Sequence, residues 1–141
     1  MATGPALRKL ASHRSIHDGS FAEARDLTEV TFRLFQENRM DDCVKAADAL
    51  VDHWETRVIA HADAEEDDDG LYQEIAKENP ELQPKIYELT RDHDLLRIVV
   101  GEIKDSLKES RKITEDIMNK FQSLLVINRI HSRSEESLLE E

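Results

Sequence analysis

Residues 86–107 read IYELTRDHDLLRIVVGEIKDSL, and their apolar side chains recur every three or four positions. The apolar members of this stripe are Ile86, Leu89, Leu96, Val100, Ile103 and Leu107. Such spacing predicts an amphipathic α-helix that buries one face. A polar residue, His93, falls on the same stripe. Because an unpaired polar group is costly to bury, a histidine at a core position calls for a partner.

Three other stretches of the chain show the same spacing, at about residues 5–38, 42–66 and 113–141. Turn-forming residues separate the stretches, among them Asn38 and the run Asp67-Asp68-Asp69-Gly70. Four stripes that each require burial, joined by short connections, predict an all-α fold. We expect an antiparallel up-down-up-down four-helix bundle.

The length and composition favour one domain. A chain of 141 residues fits a single four-helix domain over residues 1–141. Four glycines and three prolines are too few for a fold with many β-turns. Cys43 is the single cysteine, which excludes an intrachain disulfide and any thiolate metal cluster. The last stretch reaches Glu140-Glu141 without a capping signal, so we expect it to fray or to continue in a longer chain.

The charge balance excludes several partners. The chain carries 31 acidic and 19 basic residues, a formal net charge of −12. Binding to nucleic acid or to an anionic membrane surface requires clustered positive charge, so neither partner is expected. Apolar runs such as residues 124–127 are far shorter than the roughly 20 residues needed to span a bilayer. The first residues lack the apolar core of a secretion signal, and we expect a cytoplasmic protein.

Each of the four stripes contains one histidine at a core position. These residues are His17, His61, His93 and His131. Two of them have a glutamate four positions later, giving His61-x-x-x-Glu65 and His131-x-x-x-Glu135. That spacing places the two side chains about 6 Å apart on one helix face. No lysine or arginine on the stripes could neutralise the buried carboxylates, whereas a metal ion could.

The order of these residues repeats within the chain. His17-Asp18 precedes the first His-x-x-x-Glu pair, and His93-Asp94 precedes the second. Two helical hairpins packed with approximate twofold symmetry would bring all six side chains to the bundle axis. Imidazole and carboxylate ligands suit iron, zinc or manganese. Two bridging carboxylates suit a pair of ions roughly 3.5 to 4 Å apart.

This residue set resembles the hemerythrin-like family, also called HHE cation-binding domains, over essentially the whole chain. The resemblance implies two non-haem iron ions with an oxo or hydroxo bridge, bound by the six residues above. Oxygen-carrying hemerythrins have a fifth histidine four positions after the third one, where this chain has Arg97. The chain is therefore more similar to the four-histidine, two-glutamate members. If Glu65 and Glu135 bridge and each ion binds two histidines, an open position remains on both ions.

The resemblance implies a protein that binds or senses O2, NO or iron itself. A redox role or the repair of iron centres is a further option, and a binding protein is favoured over an enzyme. Weak oxidase or peroxidase activity stays open, and no protein partner is indicated. The alternative is a metal-free helical interaction bundle whose histidines and glutamates form a polar core. That alternative leaves the paired spacings unexplained.

Several nearby residues have more than one interpretation. His13 lies one turn before His17 and could replace it as a ligand, although the internal repeat favours His17. His53 is expected at a helix edge, partly exposed, and Glu66 and Glu136 are expected to be solvated. We expect Tyr72 and Tyr87 to cover the ends of the site. Candidates for orienting the imidazoles from outside are Asp18, Asp94 and Asn128.

Overall fold

The structure is a computed structural model that describes the backbone of residues 4–140 and the side chains of residues 10–140. Every regular element in this range is helical, which confirms the predicted all-α class. The α-helices are α1 Gly4–Gln36, α2 Met40–His53, α3 Ala60–Glu66, α4 Leu71–Glu78, α5 Gln83–Glu109 and α6 Glu115–Glu140. None of these described helices combines the length and apolar character needed to cross a membrane.

Four long helical segments correspond to the four predicted stretches. The second segment is continuous because a π-helical turn, Trp54–Ile59, joins α2 to α3. Asn38 connects α1 to α2 with a φ of 57°, a left-handed conformation that its short polar side chain tolerates. A 3₁₀ turn, Pro80–Leu82, leads into α5. Glu141, part of the end that carries no capping signal, lies outside the described residues.

The π-helical turn shifts the buried face of the second segment. A π turn contains about one residue more than an α turn, so the stripe moves along by one position. Before it, Ala47 and Val51 are buried, as the α-helical spacing predicts. After it, Ala62 is 2% exposed, whereas the His61 side chain is 29% exposed. After the turn, His61 is therefore only partly buried, whereas Glu65 is buried as predicted.

Two apolar clusters lie on either side of a polar layer. The larger cluster contains Trp54 and Phe121, and the smaller one contains Leu89 and Leu138. Along α5, the polar residue between the clusters is His93; along α6, residues 131–135 occupy the same place. Helix α1 packs against α2 and α6, and α5 packs against α6. The polar layer is thus enclosed by the helices and closed by apolar side chains above and below.

Gly70 allows the chain to turn back tightly after α3. An added Cβ at Gly70 would lie 2.4 Å from the carbonyl oxygen of Ala64 and 2.5 Å from that of Glu65. Both contacts are with backbone, which cannot rotate away. The close approach positions the start of α4, and with it Tyr72, beside the end of α3.

We predict that Gly70→Ala lowers the free energy of unfolding by about 1–3 kcal/mol, because the methyl group forces the turn away from α3. The matched control is Gly101→Ala in α5, where nothing lies within 4 Å of an added Cβ. That change should leave stability unchanged or raise it by up to about 1 kcal/mol, since alanine is the better helix former. Urea unfolding of both variants tests the comparison, and equal effects would contradict it.

Candidate metal centre

The six residues predicted as metal ligands meet in the polar layer. Four are buried, namely Glu65, His93, His131 and Glu135. The side chains of His17 and His61 keep 11% and 29% of their surface exposed. Because these residues come from α1, α3, α5 and α6, the site depends on the packing of all four long segments.

Glu65 presents its two carboxylate oxygens to different histidines. Oε1 lies 3.4 Å from His93 Nε2. Oε2 lies 3.3 Å from His13 Nε2 and 3.5 Å from His61 Nε2. A carboxylate placed in this way can bind two cations, one through each oxygen.

Glu135 divides its oxygens in the same manner. Oε2 lies 3.2 Å from His131 Nε2. Oε1 lies 3.5 Å from the Nε2 atoms of both His13 and His17. The two buried carboxylates therefore face the same two sets of imidazoles from opposite sides of the bundle.

We name these sets the first group, His13, His17 and His61, and the second group, His93 and His131. One ligand atom each from His13, His61, Glu65 and Glu135 lies within 4.8 Å of the others. The same holds for His93 and His131 with the same two glutamates. Each combination could hold a metal ion. Each combination contains two histidines, and the first contains His13 and not His17. His13 and His17 lie side by side on α1. Their ring centroids are 5.7 Å apart.

The second group holds two nitrogens in a contact that favours a cation. His93 Nδ1 lies 2.6 Å from Glu66 Oε2, and His131 Nδ1 lies 2.9 Å from Asp92 Oδ2. A carboxylate only accepts, so the Nδ1 atoms donate and each neutral ring presents a lone pair at Nε2. The two Nε2 atoms are 3.0 Å apart. Two facing lone pairs repel unless a proton or a metal ion lies between them.

Outer carboxylates orient three of the five imidazoles. His17 Nδ1 lies 3.1 Å from Glu136 Oε2, which completes the pattern formed by Glu66 and Asp92. The expectation that Glu66 and Glu136 are only solvated is wrong, because both are half-buried and bind a ring nitrogen. Such contacts fix the tautomer that leaves Nε2 free to bind a metal.

Arg97 donates hydrogen bonds to three carboxylates beside the second group. Its guanidinium donates to Glu66 Oε2 at 2.7 Å, to Asp63 Oδ1 at 2.7 Å and to Asp94 Oδ1 at 3.0 Å. Asp94 therefore pairs with this arginine, and Asp18 is exposed. The outer role that the sequence suggested for these two aspartates is taken by Asp92, Glu66 and Glu136. Helix rotation decides which carboxylate reaches a ring, and neighbouring positions in the sequence do not reveal it.

His53 lies outside the centre, and the expectation that it is partly exposed is wrong. It is 4% exposed, and its Nε2 lies 3.0 Å from the backbone oxygen of Ser20. This histidine ties α2 to α1 and contributes to packing.

Tyr72 enters the centre, whereas Tyr87 is 68% exposed. The Tyr72 hydroxyl donates to Glu135 Oε2 at 2.6 Å and lies 3.3 Å from His93 Nε2. Its ring stacks on that of His93, with centroids 5.5 Å apart and planes 8° apart. The sequence placed Tyr72 near the site, but its direct contact depends on how α4 folds back.

A cavity of about 20 Å³ borders the centre. Imidazoles of both groups line it, and its other walls include Ile16, Ser20, Val58, Leu96 and Asn128. A space of this size holds about one water molecule. The centre thus adjoins a small, partly apolar space beside its imidazoles.

Unpaired polar atoms show that the donor set fits a metal. His61 Nε2, Glu65 Oε2 and Glu135 Oε1 are buried without a hydrogen-bond partner among the described residues. Each such atom costs about 1–3 kcal/mol. All three face the space between the first group and the carboxylates, where a cation would contact every one of them. Imidazole nitrogen with carboxylate oxygen suits iron, zinc or manganese.

The carboxylates at the centre stay ionised. Burial acts to raise the pKa of Glu65, but the nearby imidazoles of His13, His61 and His93 hold it well below its usual range. For Glu135, burial is outweighed by His131 and His17, and the pKa is again lowered. Two negative charges therefore persist in the layer at neutral pH and attract cations.

In the metal-free protein, His131 should make stability depend on pH. Burial opposes its protonation, but hydrogen bonds with Asp92 and Glu135 raise its pKa to about 9. The charged ring thus favours the folded state below its ordinary pKa of 6.5, and this contribution is lost as the pH rises to about 9. We predict that the free energy of unfolding of chelator-treated protein falls by on the order of 3 kcal/mol over this interval.

The check is urea unfolding at several pH values between 6 and 9.5 for the chelated protein and for His131→Gln. The variant should show most of this dependence removed, because its side chain does not titrate. His17, whose pKa is raised by Glu135 and Glu136 against the effect of burial, accounts for the rest. An unchanged slope in the variant would contradict the assignment.

The chain was also compared with known proteins. No family model matches it, and no significant match is found among curated proteins or solved structures.

Proposed function

We propose that this chain is a dinuclear non-haem metal protein that holds two iron ions and binds or senses a small molecule such as O2 or NO. The observation that supports it most directly is the placement of Glu65 and Glu135. Each carboxylate directs one oxygen to the first group of histidines and the other to the second. The first ion would be held by His13, His17 and His61, and the second by His93 and His131, with both glutamates shared.

Iron as the metal follows from the donor set together with the resemblance to hemerythrin-like proteins. With His13 included, five histidines surround the centre, one more than the six-residue set contains. Bound iron would supply redox chemistry and open positions for a diatomic ligand. The protein would supply the rest: orientation of the rings by outer carboxylates, and a protected site.

The cavity supports a small ligand over a larger substrate. Ile16, Val58 and Leu96 give it apolar walls beside the imidazoles, and its volume of about 20 Å³ suits a diatomic molecule. Ser20, whose hydroxyl oxygen is buried without a hydrogen-bond partner among the described residues, lies in the same wall. A ligand in this space would contact the Ser20 hydroxyl as well as the imidazoles and Asn128.

A cytoplasmic location is part of this proposal. We also infer that neighbouring helical segments run antiparallel. Contacts between α1 and α2, and between the second segment and α5, occur in reversed chain order. The pairs are Ser20 with His53, Thr31 with Cys43, Asp48 with Arg111, and Asp63 with Arg97. Reversed order is what antiparallel neighbours produce.

Reconstitution with ferrous iron under anaerobic conditions should load about two ions per chain, measured by elemental analysis. Glu65→Gln removes the charge from one shared ligand, so we expect it to lose at least one ion per chain. The matched control, Glu29→Gln, changes an exposed glutamate on α1 and should retain both ions. Little or no metal in the wild type, with unchanged helical content, would leave the metal-free interaction bundle as the better account.

The role of His13 can be tested separately. His13→Ala should weaken binding of one of the two ions by tenfold or more and leave the other in place, because the second group does not include it. Ser12→Ala, an exposed neighbour on the same helix, serves as the control. The measurement is a titration of the metal-free protein with ferrous iron. If His13→Ala binds both ions with wild-type affinity, His13 is not a ligand, and the ligands are the six residues predicted from the sequence.

A further inference from the structure

The second group contains one imidazole fewer than the first. Three imidazoles face one side of the paired carboxylates, and only His93 and His131 face the other. Besides the shared glutamates, the side chain that contacts an Nε2 atom of the second group is Tyr72, which is 2% exposed. No other described hydroxyl group forms a hydrogen bond with either shared glutamate.

The position of the Tyr72 oxygen matches that of the neighbouring ligand atoms. Two ligands bound to one ion at about 2.1 Å and at right angles lie about 3 Å apart. In the second group, His93 Nε2 is 3.0 Å from His131 Nε2, which is 3.2 Å from Glu135 Oε2. Tyr72 Oη is 2.6 Å from that same oxygen and 3.3 Å from His93 Nε2. It therefore lies where a further ligand of the second ion would lie.

Helix α4 holds the tyrosine in this place. Tyr72 belongs to the smaller apolar cluster, where Ile86, Leu89 and Leu138 pack around it. Its ring also stacks on His93. The close approach of Gly70 to the end of α3 fixes where α4 begins. The hydroxyl is thus positioned by packing on several sides, as a metal ligand should be.

We propose that Tyr72 is a ligand of the second metal ion and binds it as a phenolate. This inference rests on the proposed dinuclear centre. On binding, the phenol O–H bond breaks, a metal–oxygen bond forms and the proton passes to solvent, while no electron is transferred. Phenolate is an anionic oxygen donor that suits ferric iron, as tyrosine-ligated haem iron illustrates. Each ion then has three ligands of its own in addition to the two shared carboxylates, which would leave one position on each ion for an oxygen bridge or a diatomic ligand.

The test uses optical and vibrational spectra of the iron-loaded, air-oxidised chain. A phenolate bound to ferric iron gives a charge-transfer band in the visible region, and excitation in this band enhances tyrosine ring vibrations in the Raman spectrum. Tyr72→Phe should lose the visible band and the enhanced vibrations while still containing iron. Tyr87→Phe is the matched control, because Tyr87 is exposed and is the chain's other tyrosine.

The control also protects the test if Tyr72→Phe fails to fold. In Tyr87→Phe, Tyr72 is the only tyrosine, so any tyrosine vibrations enhanced there arise from Tyr72 and support the ligand. Two bound irons without a visible phenolate band in the wild type would overturn the Tyr72 ligand and leave the dinuclear centre intact. A band that persists in Tyr72→Phe would also overturn it. A wild type that binds no iron would overturn both proposals together.

Discussion

The burial of two ionised carboxylates, Glu65 and Glu135, in one layer of a helical bundle is the constraint on which the rest of the site depends. Like charges at such a depth are unfavourable unless donors or cations surround them. The five imidazoles surround these carboxylates, and all four long segments contribute at least one of them. The outer carboxylates Glu66, Asp92 and Glu136 then hold three of those rings, and Arg97 neutralises part of the added charge.

The apolar clusters above and below the layer give this polar arrangement its rigidity. Trp54 and Phe121 are fully buried in the larger cluster, and Leu89 and Leu138 belong to the smaller one. Close-packed side chains on both sides leave the imidazoles little freedom to reorient. The bundle can therefore hold lone pairs and carboxylate oxygens facing one another, which an isolated helix pair could not.

Local spacing was enough to predict the helical fold and six residues of the centre. His61 with Glu65, and His131 with Glu135, share a helix face because positions four apart always do. The sequence also offered the signal for His13, one turn before His17, although the internal repeat pointed away from it. Tyr72 and the outer carboxylates could not be assigned, since their contacts depend on how α4 folds back and how each helix is rotated. The π-helical turn likewise has no distinct residue pattern here.

That π-helical turn divides one continuous helix into two parts with separate tasks. On its α2 side, Ala47 and Leu50 pack in the core; on its α3 side, Glu65 faces the polar layer. Successive residues of an α-helix are rotated by about 100°, so the extra residue sets the angle between the two parts. A deletion within Trp54–Ile59 would leave the packing part in place and turn the ligand-bearing part away. In this stretch, the number of residues matters as well as their identity.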